Sequence, residues 1–115
     1  MEEKLKEGET LYADGKIDDA EDYFLSIIEN NSEDKEAYNN LGVIAFNRND
    51  VKSAIDYFNK SLEIDCFYKD AIINYTDLLK TLNQQQAAVP LLEKLVEMDS
   101  SDKEIKELLE EIGSN

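Results

Sequence analysis

The chain has 115 residues, of which 27 are acidic and 12 basic, so its formal net charge is −15 at pH 7. Apolar residues make up 42% of the sequence, which supports one folded domain and argues against a disordered acidic tail. A chain this acidic repels phosphate groups, which excludes nucleic acid as a partner. No apolar run approaches the roughly 20 residues that span a bilayer, which excludes direct membrane insertion.

Cysteine usage bears on the compartment. The single cysteine, Cys66, cannot form an intramolecular disulfide. The amino-terminal residues lack the features of a secretory signal. We therefore expect a cytoplasmic protein.

Apolar residues recur at helical spacing along most of the chain, and the alternating pattern of a strand does not occur. The turns between paired helices hold Gly15, Asn49 and Asn83, residue types that tolerate the left-handed conformation closing a helix. Seven helices are predicted, over residues 2–14, 18–30, 35–48, 52–64, 68–82, 86–98 and 102–113.

Two capping-box spacings and one proline mark helix starts. Asp18 stands three residues before Glu21, and Ser101 stands three residues before Glu104. We therefore expect Asp18 and Ser101 to cap the second and the last helix. Pro90 lies inside the predicted sixth helix and has no backbone N–H to donate. That helix is expected to start late or to kink.

The chain repeats itself every 34 residues. Gly8 returns as Gly42 and Phe24 returns as Phe58, whereas the third copy is less regular. A unit of this length cannot bury its apolar face alone and must stack on its neighbours. We therefore expect a single domain over residues 1–115. Its predicted parts are repeats over residues 1–34, 35–68 and 69–102, and a capping helix over residues 102–113.

The second repeat carries the most specific motif. An aromatic residue precedes Leu41 and Gly42, and Ala54 and Phe58 follow, in a pattern that closely resembles the tetratricopeptide repeat. The resemblance covers residues 1–102, although the third repeat has Tyr-Thr in place of Leu-Gly. It implies an all-α fold, a right-handed superhelical array of helix-turn-helix tetratricopeptide repeats with seven helices.

The resemblance also implies a peptide-binding groove. In this family the first helix of each pair lines a concave surface, so side chains facing that surface are the contact candidates. Apolar anchors mixed with amide and acidic groups suit a peptide, because amides both donate to and accept from an extended backbone. The candidate groove residues are Leu5, Glu9, Tyr12, Asn39, Asn40, Val43, Phe46, Asn47, Ile73, Asn74 and Asp77.

Asn40 and Asn74 lie one repeat apart and are expected to point the same way. In some family members, asparagines at this place hold a peptide backbone; the alternative here is exposed or locally hydrogen-bonded amides. The family's clamp for acidic carboxyl-terminal tails is matched only by Asn40 and Lys69. Because Glu9 and apolar side chains fill its other places, an acidic tail is excluded as the ligand.

Catalysis is not expected. The chain has no histidine, which removes the usual general base and the commonest transition-metal ligand. Cys66 therefore lacks the histidine that activates a nucleophilic thiol. No phosphate loop or zinc spacing occurs, and the acidic residues around Gly15 do not have calcium-loop spacing. We expect a protein that is not an enzyme and that needs no cofactor or metal.

The acidic residues are concentrated in the first repeat, where residues 1–34 hold 12 acidic and 3 basic side chains. Such a patch either is only a solvated face or steers a basic partner toward the protein. We predict an adaptor that holds a peptide or helix of a partner protein, neutral to basic in charge, in the groove. The alternatives are a self-associating assembly subunit and a dedicated chaperone for a client protein.

Overall fold

The computed structural model describes residues 2–113, with side chains described from Leu5 onward, and it confirms the seven predicted helices. A short 3₁₀ turn, Gln85–Ala88, precedes the sixth helix. Each predicted boundary is within three residues of the observed one. The helices are α1 (Glu2–Ala13), α2 (Ile17–Asn30), α3 (Lys35–Asn47), α4 (Val51–Ile64), α5 (Lys69–Thr81), α6 (Val89–Met98) and α7 (Lys103–Gly113).

The helices pack as three successive pairs followed by α7. α1 packs against α2 and α3 against α4, whereas α5 contacts the 3₁₀ turn more extensively than it contacts α6. Three buried apolar clusters follow one another along the stack, with Phe24 in the first, Phe58 in the second and Leu92 in the third. Beyond the contact between its own two helices, each repeat therefore packs on the repeats next to it in the stack, as in other helical arrays.

Close helix approach explains the repeated glycines. In the first pair, a Cβ atom on Gly8 would lie 2.8 Å from Cε1 of Phe24, so only glycine fits against that ring. In the third pair, Thr76 and Leu92 occupy the corresponding places and both are fully buried. The smaller leucine leaves room for the threonine side chain, so this exchange roughly conserves core volume.

The turns between paired helices have the predicted left-handed residues. Gly15, Asn49 and Asn83 have φ angles of 83°, 64° and 58°. After Gly15, the backbone N–H of Lys16 donates to the carbonyl of Leu11 at 2.8 Å, which satisfies one of the unpaired carbonyls at the end of α1. The same geometry closes α3 and α5.

Aspartates cap three of the helices. Each carboxylate accepts from the backbone N–H three residues later, which satisfies a donor that the first helical turn leaves unpaired. The capping pairs are Asp34 with Ala37, Asp50 with Ser53, and Asp102 with Ile105. The predicted cap at Ser101 was wrong, because α7 begins later and the Ser101 hydroxyl instead donates to Asp99 at 2.5 Å.

The predicted cap at Asp18 was also wrong. α2 begins at Ile17, directly after Lys16, and no side chain caps its first turn. Because the helix starts early, Asp18 falls inside its first turn, where the helix dipole favours a negative charge. Asp18 and Glu21 instead pair with the guanidinium of Arg48, the residue that follows α3, with Nη1 lying 3.2 Å from Glu21.

The sixth helix starts late, as predicted. α6 begins at Val89, so Pro90 stands in its first turn, where a missing backbone N–H costs no intrahelical bond. The 3₁₀ turn before it takes the place of the first turn seen in α2 and α4. Within that turn, Nε2 of Gln86 donates to the carbonyl of Ile112 at 3.1 Å, which ties α7 to the third pair.

Candidate functional site

The first helices of the pairs form the inner surface of the array. The backbone of α1 approaches that of α3, and α3 approaches α5, with Cα atoms within 8 Å, whereas no Cα approach this close joins α2 to α4, or α4 to α6, within residues 2–113. The two layers are therefore spaced unequally, which curves the stack and leaves α1, α3 and α5 on its concave side. The whole assembly measures 40 × 27 × 23 Å.

A cavity of about 410 Å³ opens on this inner surface where α1, α3 and α5 meet. We call it the junction cavity. Most of its lining comes from predicted groove residues, and the remainder comes from the acidic first turns of α3 and α5 and from the turn before α5. Its lining residues are Glu9, Glu36, Asn39, Asn40, Tyr68, Asp70, Ile73 and Asn74.

Two asparagines form a bonded pair in this cavity. Nδ2 of Asn74 donates to Oδ1 of Asn39 at 3.0 Å, and Asn39 is only 6% exposed. The bond leaves Nδ2 of Asn39 and Oδ1 of Asn74 without a hydrogen-bond partner among the described residues. A free donor beside a free acceptor matches the carbonyl and the N–H of a peptide backbone.

Burial and repulsion between carboxylates both disfavour negative charge in the junction cavity, and burial has the larger effect. Partial burial of its carboxyl group raises the pKa of Glu36, although the residue as a whole is exposed, and the negative charges of Asp34 and Glu9 raise the pKa further. The pKa of Tyr68 is also raised, first by burial and then by Asp70. Among the described residues, Glu9, Glu36 and Asp70 form no ion pair. The cavity therefore holds negative charge that the described residues do not neutralise by direct pairing.

Metal-binding and membrane-spanning features do not occur within residues 2–113. No group of three or more cysteine, aspartate or glutamate side chains there is placed to hold a metal ion. In the same range, no helix combines the length and apolarity needed to cross a bilayer.

A smaller cavity of about 150 Å³ adjoins the junction cavity and shares Glu9 and Asn40 with it. Its wall is partly aromatic, and Nδ2 of Asn47 donates to the hydroxyl of Tyr12 at its edge. The cavity therefore extends the inner surface toward the turn that ends α1. Its lining residues are Glu9, Tyr12, Phe24, Asn40 and Val43.

Besides Asn47, three predicted groove residues line neither of these two cavities. Leu5 lines a separate opening of about 520 Å³ near the turns that precede α3 and α5. Phe46 packs against the buried cluster that contains Phe58, so its ring supports the core. Asp77 is exposed and lines none of the described cavities.

Tyr68 is a cavity residue that the sequence reasoning missed. The residues one repeat away, Asp34 and Asp102, cap their helices, whereas Tyr68 makes no capping bond. Its ring instead lines the junction cavity, and Nζ of Lys35 lies 4.9 Å from the ring centroid. The available signal was this departure from aspartate at a repeated helix start.

Lys69, the only cation matching the family's acidic-tail clamp, is already paired. Its Nζ lies 2.9 Å from Asp102 and 3.0 Å from Glu104. Hydrogen bonds to these two carboxylates raise the pKa of Lys69. The cation is therefore used to attach α7 to α5 and does not line the junction cavity.

Solved structures of similar fold include a peptide complex and a chaperone. The first TPR of Spaghetti (RPAP3), bound to the HSP90 peptide SRMEEVD, matches with a TM-score of 0.82 at 17% identity, covering 96% of this chain and 90% of that chain. The Yersinia enterocolitica type III secretion translocator chaperone SycD matches with a TM-score of 0.77 at 19% identity, covering 98% and 86%. These similarities show a shared fold.

Sequence comparison places the chain in a family. An uncharacterized protein of Methanocaldococcus jannaschii is 36% identical over 61 residues, which make up 53% of this chain and 71% of that protein. The family model described as tetratricopeptide repeat matches residues 5–66, more than half of the chain. Together with the helix-turn-helix pairs, this match shows that the chain belongs to the tetratricopeptide repeat family.

Proposed function

We propose that the protein is an interaction adaptor that holds a peptide or helix of a partner protein, neutral to basic in charge, on its inner surface. The observation that carries this proposal is the junction cavity, where a bonded asparagine pair lies among unpaired carboxylates from three helices. The amides suit a peptide backbone, and Ile73 adds an apolar contact. The smaller cavity around Val43 extends the same surface.

The charge of the cavity argues against an acidic ligand. The peptide bound to the Spaghetti domain, SRMEEVD, has three acidic residues. A similar tail on this chain would approach Glu9, Glu36 and Asp70 without a free lysine in the cavity lining. Like-charge contacts of this kind suppress a wrong partner. A neutral or basic segment meets no such repulsion.

The proposal is tested with a phage-displayed library of random peptides. Peptides selected on the intact chain are synthesised and titrated by calorimetry into the wild type and into a variant with Asn40→Ala and Asn74→Ala. A neutral hydrogen bond contributes about 0.5–1.5 kcal/mol, so losing two of them should weaken binding by at least about fivefold. The matched control is Asn59→Ala, on an exposed residue of α4 away from the junction cavity.

Two results would overturn the proposal. One is selection of predominantly acidic peptides. The other is an unchanged dissociation constant in the double variant while the control also binds normally, which would place the peptide elsewhere on the chain.

The two alternative functions make different demands on solution behaviour. An assembly subunit should show a sedimentation coefficient that rises with protein concentration. An adaptor should remain a monomer at all concentrations, with or without its peptide. A dedicated chaperone should form a stable complex with one client and should not select a short peptide. Sedimentation across a concentration series therefore separates the assembly subunit from the adaptor, and the outcome of the peptide selection separates the adaptor from the chaperone.

A further inference from the structure

An apolar opening lies on the outer side of the array, between the second and third repeats. We call it the outer groove. It has a volume of about 460 Å³ and separates α4 from α6, whose Cα atoms nowhere come within 8 Å of each other. Most of its lining is apolar and comes from Leu62, Tyr75, Ala87, Pro90 and Leu91.

The preceding repeat shows which kind of side chain fills the equivalent place. Tyr57 lies 34 residues before Leu91 and packs against both the first and the second apolar cluster. Its ring centroid lies 6.4 Å from that of Tyr38. Leu91 packs against the third cluster but, among the described residues, not against the second. The third repeat therefore lacks the aromatic ring that joins the first repeat to the second.

The outer groove also has an aromatic wall. Tyr75 lines it and is only half-buried, with its ring centroid 6.2 Å from that of Phe58. Aromatic rings in tilted or offset contact attract one another beyond the effect of buried area alone. A ring that enters the groove therefore finds an aromatic partner in Tyr75.

The charge of the outer groove favours an uncharged occupant. Among the described residues that line it, only Glu63 is charged, and its carboxylate lies 3.7 Å from Nζ of Lys60. Charged residues make up 34% of the whole chain, so this surface is unusually neutral. A charge that enters an apolar groove loses hydration without gaining a partner. The groove is therefore complementary to an uncharged apolar side chain.

The turn beside the outer groove is apolar where the corresponding turns are polar. Cys66 lines the groove, and Phe67 follows it with 40% of its surface exposed. The residues one repeat away from Phe67 are Glu33 and Ser101. In all three turns the backbone N–H of this residue donates to the side-chain oxygen two residues earlier. The turn geometry therefore does not require phenylalanine, which adds apolar surface next to the groove.

We propose that the outer groove binds one aromatic side chain from an uncharged segment of a partner protein. The ring lies against Tyr75 and takes the place that Tyr57 fills in the preceding repeat. This inference goes beyond the adaptor proposal, because the outer groove shares no lining residue with the junction cavity.

The test uses blocked single residues as probes, so that it does not depend on finding the partner. N-acetyl N-methylamides of phenylalanine, tryptophan, leucine and glutamate are titrated into the ¹⁵N-labelled chain and followed by NMR. The two aromatic probes should shift the backbone amide signals of Leu62, Tyr75 and Leu91. They should bind about two- to tenfold tighter than the leucine probe, as expected from one aromatic pair, and the glutamate probe should not bind.

Two results of this titration would overturn the inference. One is the absence of shifts at the residues of the outer groove with both aromatic probes. The other is equal affinity for the phenylalanine and leucine probes, which would show that the groove does not select a ring.

Leu91→Tyr tests whether the outer groove is the place where the ring binds. The variant should fold, because the preceding repeat has a tyrosine at the equivalent position, and it should lose binding of the phenylalanine probe because the groove is filled. Leu25→Tyr is the matched control, since Leu25 is exposed on α2 and does not line the groove. Binding that persists in Leu91→Tyr would contradict the assigned site.

Ala87→Glu is a second variant that leaves the buried clusters intact. Ala87 is exposed in the 3₁₀ turn, and a carboxylate there should weaken binding of the phenylalanine probe because the ring must displace water from a charged group. Ala13→Glu makes the same change at an exposed position outside the groove. Equal affinities in the two variants would contradict the site even if Leu91→Tyr did not fold.

Sedimentation distinguishes a partner protein from a second copy of this chain, which would bring its own exposed Phe67 to the groove. If the occupant is a partner, the wild type should sediment as a monomer at all concentrations. Association that rises with concentration and is abolished by Leu91→Tyr would overturn the partner assignment and make the groove an interface between copies.

Discussion

Phe58 lies so close to Gly42 that a Cβ atom on the glycine would be 2.5 Å from Cε1 of the ring. Phe58 is fully buried, so its ring has no empty space into which it can move. The contact joins α3 to α4 and repeats the one between Gly8 and Phe24 in the first pair. Close approach of the helices in the first and second pairs therefore depends on the absence of a side chain at this position.

Gly42→Ala should destabilise the protein even though alanine favours a helix more than glycine does. Overpacking a buried site costs about 1–3 kcal/mol, and a 2.5 Å contact lies toward the upper end of that range. The gain in helix propensity offsets only about 0.5–1 kcal/mol. Urea denaturation should therefore show a net loss of about 1–2 kcal/mol.

The third repeat suggests a rescue of that variant. Adding Phe58→Leu to Gly42→Ala should recover part of the lost stability. The third pair already has a side chain, Thr76, at the position of Gly42 and a smaller residue, Leu92, at the position of Phe58. Gly113→Ala, which would place its Cβ in open space, is the control and should be nearly neutral. Additive losses in the double variant would contradict a direct clash.

Asn49→Ala should destabilise the turn between α3 and α4. Asn49 has a φ of 64°, and the left-handed conformation costs a residue such as alanine about 1–2 kcal/mol. Asn49→Gly should retain wild-type stability, since Gly15 already serves this role in the first repeat with a φ of 83°. Thermal unfolding of the two variants side by side checks the expectation, and equal melting temperatures would contradict it.

Ser61→Ala should cost about 1 kcal/mol by removing one buried hydrogen bond. The Ser61 hydroxyl donates to the backbone carbonyl of Lys35 at 2.8 Å, and the serine is fully buried. The bond ties α4 to the start of α3. Ser32→Ala, at an exposed position, is the control for the chemical change. A loss of stability no larger than that of the control in urea denaturation would show that the bond contributes nothing.

Stability should fall in acid partly because of Asp65. The hydrogen bond from Lys35, followed by the backbone N–H of Phe67, holds the pKa of Asp65 below its usual range. An unfolded aspartate has a pKa of about 3.9, so the stabilisation is complete above that pH and is lost as pH falls through the lower folded value. Urea midpoints measured from pH 5 to pH 2 should decline less steeply in Lys35→Met than in the wild type. Parallel declines would contradict the contribution.

Glu36 should have the opposite effect to Asp65 on how stability depends on pH. Burial and neighbouring carboxylates raise its pKa, so the folded state binds this proton more tightly than the unfolded state does. Ionised Glu36 therefore destabilises the fold at neutral pH, and protonation relieves this as pH falls through the raised value. Glu36→Gln should be more stable than the wild type at pH 7, and the difference should shrink in acid. Glu97→Gln, at an exposed position outside the junction cavity, should show no such pH-dependent gain.

Local pattern was sufficient to predict the helices and their stacking order. Helical spacing of apolar residues depends on neighbours three and four positions away, and the 34-residue repeat records contacts between adjacent pairs. The left-handed turns at Asn49 and Asn83 followed from the same logic, because few residue types tolerate that conformation. The capping aspartates were harder to place, since a shift of one residue moves the cap from Ser101 to Asp102.

The sequence by itself determined the family, the helical pairs and most of the residues on the inner surface, because these depend on contacts that recur with each repeat. Only the tertiary structure decided which of those residues meet. The bond between Asn39 and Asn74 joins neighbouring repeats at non-equivalent positions, and it depends on how one pair rotates over the next. The same rotation places Tyr68, which breaks the repeated pattern, in the junction cavity, whereas the partly buried Phe46 packs against the core.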